Sequence, residues 1–162
     1  MADESTNLTK LYIDLPNHWA VGGESVWARQ LSEDEYEIAN VPFFAYGLNF
    51  SDIVRAHSDN PNLKPAILAV VKQSGHRTLR IFFDEKLDKE RQIGLLTGLK
   101  ELHISWERAD EFHIAMDVHP EADYQAVCDR LWEWEQNGLL EYETCEARNI
   151  NSFDDKPDDD SD

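Results

Sequence analysis

The chain has 162 residues, enough for one compact unit or two intimate subdomains with a core that needs neither metal nor disulfide. Apolar residues make up 41%, with five Trp and seven Phe, which excludes wholesale disorder, and no run approaches the ~18 apolar residues of a membrane span. Asp and Glu number 33 against 15 Lys and Arg, a formal net charge of −18 that repels free nucleic acid and anionic membranes and attracts a basic protein.

The opening "MADESTNLTK" is acidic and polar, without the basic and apolar regions of a secretory signal, so a cytoplasmic location is expected. Residues 1–9 read as a flexible leader and 10–73 as a β-rich subdomain. "KLYIDL" is the first predicted strand, and "ESVWARQL" and "EYEIANVPFF" flank a hairpin turn at "SED". "SDIVRAH" and "AILAVVKQ" follow around the turn-rich "SDNPNLKP". Five short strands in this span predict a small, strongly bent antiparallel barrel or sheet, with Pro42 marking an edge or a bulge.

Residues 74–150 carry a clearer order. "HRTLRIFFD" is a strand, "EKLDKERQIGLLTGLKEL" has helical spacing weakened by Gly94 and Gly98, and "HISW" and "EFHIAMDVH" form a hairpin. That hairpin is expected to pair Ile104 with Ile114 and Trp106 with Phe112, leaving His103, Ser105, His113, Ala115 and Asp117 on a polar face. A second helix is expected from near Pro120 to the "NG" at 137–138, and "LLEYETCEA" is the last strand. The sequence therefore predicts an α+β fold: the β-rich half packed on a ferredoxin-like split β-α-β half of order βαββαβ. Residues 151–162 read as a disordered acidic tail; its six Asp and one Lys contribute −5 and leave −13 on the body.

Motifs for chemistry are sparse. There is no GxSxG, P-loop or dinucleotide glycine pattern. His103, His113 and His119 share or border one sheet face with Asp117 and Glu107, but no local spacing matches a zinc motif, so no metal and no cofactor is expected. Cys128 and Cys145 read as reduced thiols. The densest charge runs from Trp106 to Arg148, where twelve acids oppose three Arg, a net of −9. Within it Trp132, ringed by Asp129, Glu133 and Glu135 and joined by Glu143 on the last strand, has the make-up of an aromatic anchor in an acidic rim. A possible pocket between the halves would be lined by Tyr46, Phe50 and His76.

Glu24, Trp27 and Ala28, the block from Asn40 to Leu48 ("NVPFFAYGL"), Asp52 with Val54, and Ser74 to His76 together resemble a bacterial family known as domain of unknown function 4265. The resemblance spans about residues 10–148 and carries no catalytic residues. Small acidic proteins of this kind resemble immunity proteins encoded beside secreted toxins. The expected function is therefore a non-enzymatic, immunity-type inhibitor that occludes a basic toxin surface, such as that of a nucleic-acid-directed enzyme; the alternative is a small-ligand-sensing domain.

Overall fold

The computed structural model describes residues 8–147 and 150–154. Five strands come first: β1 (Leu8–Asp14), β2 (Gly23–Gln30), β3 (Glu35–Ile38), β4 (Ile53–His57) and β5 (Ala66–Lys72). Alternation sends Leu11, Ile13, Val26, Ala28, Ile38, Val54 and Ala56 inward, so the sheet rolls around one apolar core and closes into a barrel. Sequential strands are antiparallel, and an odd number of them leaves the first and last pointing the same way. The closing pair is therefore parallel, contrary to the all-antiparallel expectation. It is also short, with Tyr12 opposite Ala66 and the Tyr12 N–H donated to Pro65 C=O at 2.8 Å.

The second sheet holds β6 (Arg77–Phe83), β7 (Ile104–Arg108), β8 (His113–Val118) and β9 (Leu140–Thr144), in the order β7-β8-β6-β9 with every neighbour antiparallel. Helices α1 (Lys89–Thr97) and α2 (Tyr124–Gln136) cover one face, closing a second core around Leu79, Ile81, Ile114, Met116, Val127 and Leu131. Helix α1 is capped by Asp88 and stops at Gly98. The chain is thus mixed α+β, with a five-stranded sheet ahead of a four-stranded sheet that carries the helices.

Local expectations differ from this structure in several places. The third strand stops at Ile38 rather than running through "NVPFF". The hairpin pairs Ile104 with Val118 and Trp106 with Met116. Asp110 sets this register, because its carboxylate accepts the N–H groups of both Phe112 and His113 at 2.9 Å and draws Phe112 into the turn. The shift is even, so each side chain keeps its expected face. Helix α2 begins at Tyr124, since Asp123 caps it by accepting the Ala126 N–H at 3.1 Å, while Pro120 lies in the preceding turn.

The face expected to be polar is largely covered. Thr78, Arg80, His113, Ala115 and Asp117 are buried, and β8 is buried on both sides. Its cover is the segment after β3: Arg80 bonds the carbonyls of Pro42, Phe44 and Ala45, Thr78 Oγ1 donates to Asn49 Oδ1 at 2.8 Å, and Phe43 and Phe44 meet His113 edge-on. Residues 151–154, read from sequence with the tail, also return to the barrel. Phe153 joins the barrel core, Asn151 Oδ1 accepts the Val70 N–H at 3.0 Å, and Asp154 Oδ2 accepts the Asn17 N–H at 2.8 Å. β5 pairs along one edge with β4; on its other edge, beyond the short parallel contact with β1, the Val70 N–H is met by the Asn151 side chain. The rest of the expected tail, and residues 1–7 of the expected leader, lie outside the described residues; Leu8 and Thr9 already belong to β1.

Phe153→Ala empties a buried aromatic site in the barrel and should cost about 3 kcal/mol in urea unfolding. A cost below ~1 kcal/mol would show that residues 150–154 merely rest on the barrel.

Candidate functional site

The 40–48 segment occupies the junction between barrel and sheet. Pro42 cannot donate a ladder bond, and the main chain beside it bonds to two buried charged side chains instead. Glu24, at the start of β2, accepts the N–H groups of Phe43, Phe44 and Ala45 at 2.5, 3.0 and 2.9 Å. From β6, Arg80 donates to the carbonyls of Pro42, Ala45 and Phe44 at 3.2, 3.0 and 3.1 Å. The segment is thus strung between a carboxylate on one sheet and a guanidinium on the other.

Arg80 is fully buried and Glu143 neutralises it, accepting from Nε at 2.9 Å. Glu143 also accepts the Tyr46 hydroxyl at 2.9 Å, and that oxygen in turn accepts the Trp19 Nε1–H at 2.9 Å. Burial pushes the Tyr46 pKa up, so the phenol stays a neutral donor. Gly47 follows at φ 74°, with its N–H on Cys145 C=O at 2.6 Å. A Cβ there would lie 2.5 Å from that of Ala147, so both the turn and the close approach require glycine.

Aromatic rings close around this centre. His113 stacks on Phe82 with centroids 4.5 Å apart and meets Phe43 and Phe44 edge-on. Its Nε2 is buried without a hydrogen-bond partner among the described residues, and burial, then Arg80, pushes its pKa down. His18 stacks between Trp19 and Tyr46 and hydrogen-bonds Phe44 C=O through Nε2 at 3.0 Å. Trp19 is 60% exposed at the end of that stack.

A second polar cluster lies further along the junction. Buried Asp52 accepts the N–H groups of Asn49 and Ser74 at 2.9 Å each, and burial raises its pKa against those bonds. Ser74 Oγ donates to Phe50 C=O at 2.7 Å, and the Phe50 ring meets His76 edge-on at 5.2 Å. His76 Nδ1 lies 2.8 and 3.0 Å from the two oxygens of Asp117. Of the three expected pocket residues, Phe50 and His76 are therefore together, whereas Tyr46 is enclosed beside Arg80.

The acidic residues separate into three environments. Asp129, Trp132 and Glu133 share the exposed side of α2, where Trp132 is 56% exposed and Asp129 accepts from Gln125 at 2.8 Å. Glu135 turns toward β9 and accepts the Tyr142 N–H at 3.1 Å. Glu143 sits on the opposite sheet face as the partner of Arg80. Sequence reasoning missed Glu24 and Arg80 as the clamps and His113 as an aromatic-stacked base. Arg80 did carry a signal, a lone cation inside the apolar run "LRIFF". Cys145 is buried, Cys128 is half-buried, and both are free thiols. No helix among the described residues is long and apolar enough to cross a membrane.

Comparison with known proteins places these features. The profile of the family described as domain of unknown function 4265 matches residues 24–142, and the chain belongs to that family. The solved structure of a hypothetical protein from Neisseria gonorrhoeae is similar in fold, with a TM-score of 0.72 at 20% identity over 86% of this chain and 94% of the other. No curated protein matches the chain. Of the residues that carry the resemblance, Glu24, Asn40–Leu48, Asp52 and Ser74–His76 meet at the junction, whereas Ala28 and Val54 lie in the barrel core and Trp27 is exposed on β2.

Glu143→Gln leaves the Arg80 charge without its counterion and should lower unfolding stability by about 3 kcal/mol; a loss below ~1 kcal/mol would mean the carbonyls suffice. His113 stays neutral in the folded chain, whereas the unfolded chain takes up its proton below about pH 6.5. Its contribution is therefore complete above that pH and lost as pH falls toward the depressed folded value. Asp52 and Asp117, with raised values, act in the opposite sense, so the variant comparison isolates the histidine. His113→Phe should lose less stability than the parent between pH 7 and 5; parallel pH profiles would overturn this.

Proposed function

We propose that this member of the family is a protein-binding protein of immunity type, which presents the exposed side of α2 to a basic surface of a toxin. Exposed Trp132 with Asp129 and Glu133 at its flank carries the reading: a large aromatic anchor in an acidic setting, on a rigid helix. A nucleic-acid-directed toxin fits this surface, since such enzymes bear basic clefts. Net charge steers the encounter, Trp132 supplies the desolvated contact, and the carboxylates pair with Lys or Arg of the partner. The reading assigns no catalysis to the chain. Glu135 and Glu143 support α2 and the junction from within rather than joining the rim.

The same reading takes the C-terminal half as a ferredoxin-like split β-α-β unit, supported by its element order β6-α1-β7-β8-α2-β9 and its strand order β7-β8-β6-β9. The alternative of a small-ligand sensor calls for an apolar cleft along Tyr46, Phe50 and His76. Tyr46 is fully buried with its hydroxyl bonded on two sides, which favours the protein-binding reading.

The test is capture of partners from lysate of the source organism on the immobilised chain, at low and moderate salt. A single basic partner should be retained at low salt and weaken at least about tenfold at moderate salt. Trp132→Ala should cost about 2 kcal/mol of affinity, and Asp129→Lys with Glu133→Lys should abolish retention. Retention indifferent to salt and to these changes, or no retained partner, would overturn the proposal.

A further inference from the structure

We propose that Trp19, Phe82 and Glu141 form a binding site for a guanidinium group, the arginine side chain of a polypeptide. The pattern is already present once inside the protein. Arg80 and Glu143 lie directly opposite each other on β6 and β9, and the Arg80 guanidinium stands over the Tyr46 ring, 4.8 Å from Cζ to centroid. Cation, carboxylate and aromatic ring thus come together on the junction face of the sheet. Two residues along the same ladder, Phe82 lies opposite Glu141, on the same face as Arg80 and Glu143. Trp19 meets Phe82 there, edge-on with centroids 6.4 Å apart. This second place has the rings and the acid, but β6 supplies no cation.

Trp19 is exposed and yet fixed. Its Nε1–H is held by the Tyr46 hydroxyl and His18 stacks along the ring, so its indole nitrogen is used inside while most of its surface faces water. The loop behind it is tied as well. His18 Nδ1 accepts the N–H groups of Ala20 at 2.9 Å and Val21 at 3.3 Å, while Nε2 donates to Phe44 C=O. The imidazole is therefore the neutral Nε2–H tautomer and puts no positive charge behind the indole. Trp gives the strongest cation–π contact of the aromatic side chains, and a planar, weakly hydrated guanidinium stacks on it better than an ammonium does. A ring held in place before the partner arrives loses little freedom on binding.

Glu141 is exposed and makes no hydrogen bond or ion pair among the described residues, whereas Glu143 beside it is already matched by Arg80. Directly opposed residues hold their Cβ atoms about 5 Å apart, which leaves the Glu141 carboxylate free to swing to a cation seated against Trp19 and Phe82. A guanidinium there would make a charge-assisted pair with Glu141, on a chain whose net charge of −18 draws cations to it. A free amino acid would bring its own carboxylate against this acidic surface, while an arginine within a polypeptide brings only its cation. Leu140 and Tyr142 turn toward the helices, so Glu141 faces away from α2. The site is thus independent of the surface around Trp132.

The test is titration of the full chain with the blocked tripeptide acetyl-Gly-Arg-Gly-amide at low salt, followed by nuclear magnetic resonance. The reporter is the indole N–H signal of Trp19, identified as the one of five that Trp19→Phe removes. That signal should move saturably, and the corresponding lysine tripeptide should bind at least about threefold more weakly. Glu141→Gln should weaken binding at least about fivefold. Glu101→Gln removes the same charge ahead of β7, at the other end of the sheet, and should change binding by less than about twofold. Trp19→Ala, followed through the Glu141 amide, should keep the parent circular dichroism and lose saturable binding. Free L-arginine should bind more weakly than the tripeptide. No saturable movement in the parent, equal losses in the two Glu variants, binding retained by Trp19→Ala, or tighter binding of free arginine would each overturn the proposal.

Discussion

Everything at the junction depends on one arrangement: four residues of irregular backbone, 42–45, held between the carboxylate of Glu24 and the guanidinium of Arg80. Irregular chain cannot be buried unless its amides and carbonyls find partners, and here two ionised side chains supply them. The two ends come from different sheets, so the segment acts as mortar between barrel and sheet. Without it the outer face of β6 and β8 would need water, and Arg80 would be a cation in an apolar wall. Glu143 and Tyr46 complete the arrangement by settling the charge that the carbonyls only partly balance.

This use of acids changes the meaning of the net charge. Glu24, Asp52, Asp117 and Glu143 are internal hydrogen-bond acceptors, tied to backbone amides, the His76 imidazole or the Arg80 guanidinium. Glu107 and Glu135 accept backbone N–H groups from Val41 and Tyr142. Part of the body charge therefore builds the molecule, and the acids around Trp132 are a smaller and more local feature than composition suggests.

Elements with local causes were legible in the sequence. Period-two alternation marked the barrel strands, Asn137 and Gly138 marked the end of α2, and the hairpin faces survived a wrong register because the error was even. The junction was not legible, because its bonds join residues far apart in the chain with no local pattern. Glu24 meets its amides some twenty residues on, and Arg80 meets Glu143 sixty-three residues away. His113, grouped in the reading with His103 and His119, lies among Phe43, Phe44 and Phe82 for the same reason. Period-two logic assigns a residue to a face but says nothing of what covers that face. Phe153 was hidden by company, a single aromatic beside an Asp-rich run that reads as solvated chain.

The return of Phe153 to the barrel bears on how the protein is made. The first five strands cannot finish their core, nor can the edge of β5 be covered, until the segment that follows β9 has been synthesised. An N-terminal unit normally folds as soon as it leaves the ribosome. Here the barrel core stays incomplete until residues 150–154 have emerged, with an open seam meanwhile that can pair with another strand. A nascent chain arrested within the sheet would expose that unfinished barrel to chaperones and proteases.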